Sequence, residues 1–117
     1  MVDRVADRRP LAPAVFHILL VLADSDQHGY AIIRAISKST DGRVRIGPGT
    51  LYRSIQQMLE EGLLVEADER PAPDDDDERR RYYRITPLGR KVARAEAERL
   101  AALVRLARAS GFAPGKA

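Results

Sequence analysis

The run Gly47-Pro48-Gly49-Thr50-Leu51-Tyr52-Arg53-Ser54-Ile55-Gln56-Gln57-Met58-Leu59-Glu60-Glu61-Gly62-Leu63-Leu64 decides how the rest of the chain is read. It opens on a breaker cluster that ends in Thr50, a residue type that caps helices. Leu51, Ile55, Met58 and Leu59 then recur at i, i+4, i+7 and i+8, the spacing of one buried helical face. Gly62 stands where a glycine stop is expected, and Leu63-Leu64-Val65 begins a strand. The opposite flank of this helix carries Thr50, Tyr52, Arg53, Gln56 and Gln57.

Upstream, Val15, Ile18, Leu19 and Leu22 mark a first helix over about 12–23, with Pro13 tolerable in its first turn. Asp24-Ser25-Asp26 is a turn signal that offers a cap for a second helix over about 29–40, whose stripe is Ile32, Ile33 and Ile36. Asp41-Gly42 ends it. Arg43-Val44-Arg45-Ile46 alternates polar and apolar residues and predicts a very short strand. Downstream, Arg81-Tyr82-Tyr83-Arg84-Ile85 predicts a strand returning against Leu63-Leu64-Val65 around a long loop tip. Thr86-Pro87 is a strong helix start, and the last helix is expected to run to about Ser110 and stop at Gly111. Three helices followed by a hairpin give a mostly α chain with a small β-hairpin (α+β), a winged helix-turn-helix with an added C-terminal helix. The expected divisions are an arm at 1–11, the winged domain at 12–86, the last helix at 87–110 and a tail at 111–117.

Composition narrows the function. At 117 residues, 44% apolar and 32% charged, the chain fits one globular domain. There is no cysteine, so disulfides, thiolate metal sites and cysteine nucleophiles are excluded. No apolar run approaches the roughly 18 residues that span a bilayer, and the N-terminus lacks a signal-peptide core, so a cytoplasmic protein without a membrane partner is expected. No nucleotide loop, metal cluster or nucleophile–base set is legible, and neither an enzyme nor a cofactor is expected. His17, in the first helix, reads as a structural histidine; His28 is more exposed by position. The aspartate run lacks the glycine and terminal glutamate of a calcium loop. The net charge of +3 hides an uneven distribution: Glu66–Glu78 holds eight acids and one base, net −7, so the remainder is +10. Such a basic body suggests a polyanion partner such as double-stranded DNA.

On that reading the third helix enters a groove. Thr50 and the amides near Gly49 can hold a phosphate, Arg53 can chelate a guanine edge, and Gln56 or Gln57 can address adenine. Arg80 and Arg81 would meet the sugar-phosphate backbone at the base of the wing. Tyr82 and Tyr83 point to opposite faces, one into the core and the other free to bind phosphate. Tyr30 either donates to a phosphate or is a half-buried core residue. The acidic tip, Asp74 to Asp77, argues against minor-groove insertion by the tip itself. On the last helix, Ala93, Ala97, Leu100, Val104 and Ala107 form a seam stepping by four and three, widened by Leu103 and Leu106. A partner chain would cover it as a homodimer; folding back on the first helix is the alternative. Two-fold symmetry would set two reader helices about 34 Å apart on a palindromic operator.

Four segments together carry a family resemblance. His28-Gly29-Tyr30-Ala31-Ile32, Gly47-Pro48-Gly49-Thr50-Leu51-Tyr52, Leu59-Glu60-Glu61-Gly62-Leu63-Leu64 and Arg81-Tyr82-Tyr83-Arg84-Ile85-Thr86-Pro87-Leu88-Gly89 resemble the PadR-type transcriptional regulators over roughly residues 14 to 90. The resemblance implies DNA binding as a homodimer, usually repression, often relieved by a small-molecule effector. It also implies a single C-terminal helix forming most of the dimer interface. It puts Tyr30, Thr50, Tyr52, Arg53, Arg81 and Tyr82 on DNA-facing positions. Position 53 is frequently proline in relatives, so Arg53 is a departure, as is the long acidic wing tip. Some relatives stack flat aromatic ligands on a tryptophan; this chain has none. An effector pocket here would be lined by aliphatic residues near Phe16 and the last helix. The competing reading is a winged-helix module that binds protein without sequence-specific DNA recognition.

Overall fold

The computed structural model describes residues 10–67 and 81–112. Among these residues are four helices, α1 (Pro13–Leu22), α2 (Gly29–Ser39), α3 (Pro48–Glu60) and α4 (Pro87–Ala109), and a small antiparallel sheet. Its strands are β1 (Gln27–His28), β2 (Leu64–Ala67) and β3 (Tyr82–Ile85), in the order β1-β3-β2. The expected winged helix-turn-helix is therefore present, with a third strand added. β1 pairs Gln27 with Tyr83 and His28 with Tyr82, while β2 pairs Leu64 with Ile85 and Ala67 with Tyr82.

The helical stripes read from sequence form one core. Val15, Ile18, Leu19 and Leu22 from α1 meet Ile32 and Ile36 from α2, Leu51, Ile55 and Met58 from α3, and Leu63, Leu64, Tyr83, Ile85 and Val92. Truncating one of the fully buried aliphatic residues to alanine costs about 2–5 kcal/mol, a large share of a typical domain's stability.

Three helices end alike. The N–H of Leu63 bonds the Met58 carbonyl and that of Gly62 the Leu59 carbonyl; Gly42 with Ser37 and Asp41 with Lys38 repeat the pattern, as do Phe112 with Ala107 and Gly111 with Arg108. This 6→1 and 5→2 closure needs a left-handed residue after the C-cap. Gly62 (φ 78°) and Gly111 (φ 90°) supply it cheaply, whereas at the end of α2 the residue is Asp41, at φ 53°.

Three local expectations are corrected. Arg43–Ile46 is not a strand. The edge of β3 opposite β2 is occupied by β1, and the Val44 N–H donates instead to Thr40 Oγ1 at 3.0 Å. The cap of α2 is not in Asp24–Asp26 but is His28, whose Nδ1 accepts the Ala31 N–H at 3.3 Å. Thr50 does not cap α3, because Pro48 already starts the helix with Gly47 at the N-cap position. The start of α4 is as expected. Thr86 Oγ1 accepts from Gly89 N–H at 2.9 Å and donates to the Gly62 carbonyl at 2.6 Å, joining the end of α3 to the start of α4. No helix among the described residues is long and apolar enough to cross a membrane.

Candidate nucleic-acid interface

The surface of α3 divides as its sequence demands. Leu51, Ile55 and Met58 are buried, while Gly49, Thr50, Tyr52, Arg53, Gln56 and Gln57 are all exposed. No side chain caps the helix start, so its first amides, those of Gly49 and Thr50, face outward without a side-chain acceptor. A Cβ at Gly47 or Gly49 would meet nothing within 4 Å, so this end of the helix is open to close approach. Gln57 donates to Glu61 at 3.2 Å, which turns it toward the end of the helix. Tyr30, at the start of α2, is 60% exposed, which resolves the two sequence readings in favour of a surface residue.

Tyr52 is half-way between reader and packing residue. Its ring lies against the start of α2: a Cβ on Gly29 would collide with the Tyr52 hydroxyl and come within 2.9 Å of its Cζ. Tyr83 is the core-facing member of the tyrosine pair. Burial pushes its phenol up, and the neighbouring Glu66 and Tyr52 add to that rise. Tyr82, on the other face, packs edge-on against His28 with ring centroids 5.4 Å apart. These aromatic contacts tie α2, α3 and the sheet together. His17 is half-buried in α1.

The arginines of β3 and its approach are already partnered. Arg81 pairs with Glu66 at 3.2 Å on an exposed surface, and Arg84 forks onto Asp26 with bonds of 3.2, 3.2 and 2.8 Å. Arg80 and the Asp74–Asp77 tip lie outside the described residues.

α4 has two faces. Gly89, Val92 and Glu96 (i, i+3, i+7) pack onto the chain's own domain, chiefly α1, and Arg90 donates to the Ala23 carbonyl at the end of α1 at 2.9 Å. Ala93 also packs against this core, so the upper part of the expected seam is partly used within the chain. Beyond it, Ala97, Leu100, Leu103 and Val104 are exposed, Leu106 with them, and Ala107 is half-exposed.

Glu96 was not visible as a site in the sequence, where an acid on a long helix reads as solvated. It is 6% exposed and receives both Arg99 Nε at 2.8 Å and Nη2 at 2.6 Å. That fork holds its carboxyl below the usual range against the opposing effect of burial, and the backbone at Leu11 lowers it further. A depressed folded pKa means the stabilisation is complete above the ordinary carboxylate range and is lost as pH falls through the lowered value. Glu96→Gln is expected to cost about 1–2 kcal/mol at neutral pH. It should also flatten the acid limb of a stability-against-pH curve measured by urea melts.

A cleft of about 320 Å³ opens between the start of α1 and the end of α3, over Leu11, Val15 and Met58, with Gln57 and Glu61 at its rim. It lies away from the expected lining, since neither Phe16 nor any α4 residue contributes.

Comparison with known proteins agrees with this architecture. The family model of the transcriptional regulator PadR-like family matches residues 18–95. Over 52 residues the chain is 35% identical to the transcriptional regulator YqjI of Escherichia coli, covering 44% of this chain and 25% of that protein. The chain thus matches about a quarter of the length of its curated relatives. A transcriptional regulator structure from Clostridium thermocellum superposes with a TM-score of 0.69 at 28% identity, covering 80% of this chain and 88% of that one. A PadR family regulator from Clostridium difficile gives a TM-score of 0.67 at 18% identity over 83% and 96%, a likeness of fold. These are regulators rather than enzymes. With a winged helix-turn-helix, an exposed polar face on its third helix and a family match over most of its length, the chain belongs to the PadR-like family of transcriptional regulators.

Proposed function

We propose that the protein is a sequence-specific DNA-binding repressor that acts as a homodimer on a palindromic operator and is released by a small-molecule effector. The observation that carries the reading is the exposed polar face at the start of α3, where Thr50, Arg53 and Gln56 surround an open helix end. Arg53 supplies the bidentate base contact, Gln56 the adenine-directed amide, with Gln57 able to join it only on leaving Glu61, and Tyr30 and Thr50 the phosphate contacts. Arg81, Arg80 and Tyr82 then serve as flanking groups. For Arg81 this requires exchange of Glu66 for a phosphate, which is feasible because an exposed pair contributes only about 0–1 kcal/mol. A dimer seated on a promoter excludes polymerase, hence repression. The cleft beneath Gln57 and Met58 touches α3 itself, so a ligand held there would shift the reading helix.

The test is Arg53→Ala, read by fluorescence anisotropy on a duplex from the DNA upstream of the protein's own gene. Loss of one bidentate base contact weakens binding by about 1–3 kcal/mol per half-site, or roughly 5- to 150-fold for each engaged protomer, and relaxes specificity at the matching base pair of each half-site. Unchanged operator affinity and unchanged specificity would refute the reader-helix assignment.

A further inference from the structure

The Arg43-Val44-Arg45-Ile46 segment joins no sheet: it leaves α2 through a turn, in which the Arg43 N–H bonds the Thr40 carbonyl at 3.0 Å, and runs to the extended Gly47. Val44 and Ile46 pack against the core, and Arg43 and Arg45 are exposed on the other side. The segment is held at its start: Thr40 Oγ1 accepts the Val44 N–H at 3.0 Å and donates to the Ile36 carbonyl at 2.8 Å, and the Gly42 N–H bonds Ser37 at 2.7 Å. The Arg45 guanidinium lies over Gly42. The two arginines are therefore displayed by a braced backbone, which lowers the ordering cost of any contact they make.

They differ in their pairing from the arginines beside the sheet and in the middle of α4. Arg81, Arg84 and Arg99 are each paired with a carboxylate, those of Glu66, Asp26 and Glu96. Arg43 and Arg45 have no ion pair among the described residues, and they stand four and two residues before Gly47, the N-cap of α3. A chain reaches at most about 3.3–3.6 Å per residue, so Arg45 and Arg43 lie within roughly 7 and 14 Å of that cap. A major groove is about 12 Å wide. With the start of α3 in the groove, the preceding segment reaches its phosphate wall.

We propose that Arg43 and Arg45, turned outward by the burial of Val44 and Ile46, clamp the DNA phosphates beside the groove that α3 enters, and that this connection supplies backbone neutralisation without first breaking an ion pair, as Arg81 must with Glu66. The inference rests on the DNA-binding reading above and adds to it the residues that anchor rather than read.

The experiment uses the full chain and two duplexes of about 30 base pairs, one from the upstream DNA and one of scrambled sequence, titrated by anisotropy from 50 to 200 mM salt. Each phosphate contact contributes about 0.9 to the slope of log K against log salt. Arg43→Ala/Arg45→Ala should lower affinity for both duplexes by a similar factor, on the order of tenfold or more, and reduce the slope by about two per engaged protomer. Arg43→Lys/Arg45→Lys should restore most of the slope. Arg94→Ala/Arg108→Ala, an equal loss of exposed charge on α4, should leave it unchanged. A steep wild-type slope retained by the double alanine variant, or an equal loss in the α4 control, overturns this inference alone. A wild-type protein with no salt-dependent affinity for either duplex overturns the DNA reading together with it.

Discussion

Gly89→Ala is expected to lower the melting temperature by about 12 °C or more, the largest stability effect of any single methyl group added to this protein. A Cβ at this position would overlap the Leu63 carbonyl oxygen and lie 2.8 Å from Ile85 Cγ1 and 3.3 Å from the Leu63 carbonyl carbon. Neither neighbour can retreat easily. Leu63 is buried, its N–H closes the end of α3 on Met58, and its carbonyl accepts the Thr86 N–H at 3.1 Å. Gly89 itself donates to the Thr86 cap. Relief requires lifting the start of α4 off the sheet, which also exposes Val92. Overpacking against yielding side chains costs about 1–3 kcal/mol, and a backbone obstacle costs at least the upper end. At roughly 4–8 °C per kcal/mol this gives the stated shift, measurable by circular dichroism. The contrast is internal to the molecule. Gly49→Ala meets open space and should melt close to wild type, while Gly29→Ala meets only the movable end of Tyr52. A Gly89→Ala protein melting within 3 °C of wild type would mean that α4 does not seat as described.

The difference between these glycines shows what could be read from the residues alone. Stripes such as Val15-Ile18-Leu19-Leu22 and stops such as Gly62 are local: spacing and backbone preference fix them within a few residues, and they were legible. Gly89 looked like one more glycine near a helix start, because its constraint comes from Leu63 and Ile85, on other elements. β1 was invisible for the same reason. Two residues carry no strand signal, and Gln27-His28 is a strand only because β3 offers an edge far along the chain. Arg43–Ile46 shows the converse error, since alternation reports one buried and one wet side, which a connecting segment satisfies without a ladder. The polar flank of α3 was read in full, but Tyr52's contact with Gly29 and the pairing of Arg81 and Arg84 depend on tertiary neighbours. Glu96 was missed because its partners combine a local Arg99 with Leu11, far away in sequence.

On the proposed homodimer, Leu103→Glu is expected to give a 13.0 kDa monomer and to weaken operator binding by about 10²- to 10⁴-fold without unfolding the winged domain. The last helix packs partly within its own chain and leaves the rest of the expected seam uncovered by any described residue. Its first three turns fold back on α1 through Gly89, Val92 and Glu96, as the intrachain alternative required. Its later turns leave Leu100 36%, Leu103 48%, Val104 39% and Leu106 64% exposed, a run of large aliphatic side chains that no described part of the chain covers. Exposed apolar surface of this concentration marks an association site, and spacing by four and three suits a second helix of the same kind. A charge at Leu103 would have to be buried unpaired against that helix, which costs far more than the contact contributes. Because Leu103 is exposed in the single chain and distant from Val92, the fold itself should survive, with melting only slightly changed once the concentration dependence of the dimer is allowed for. The loss on DNA follows from geometry. Two readers on one rigid pair bind the second half-site at high effective concentration, and a monomer forfeits that gain while keeping every contact of a single α3. Sedimentation and anisotropy on full and half operators separate the cases. A wild-type chain that sediments at 13.0 kDa at all concentrations, or a Leu103→Glu variant that keeps full operator affinity, would remove the dimer from the mechanism.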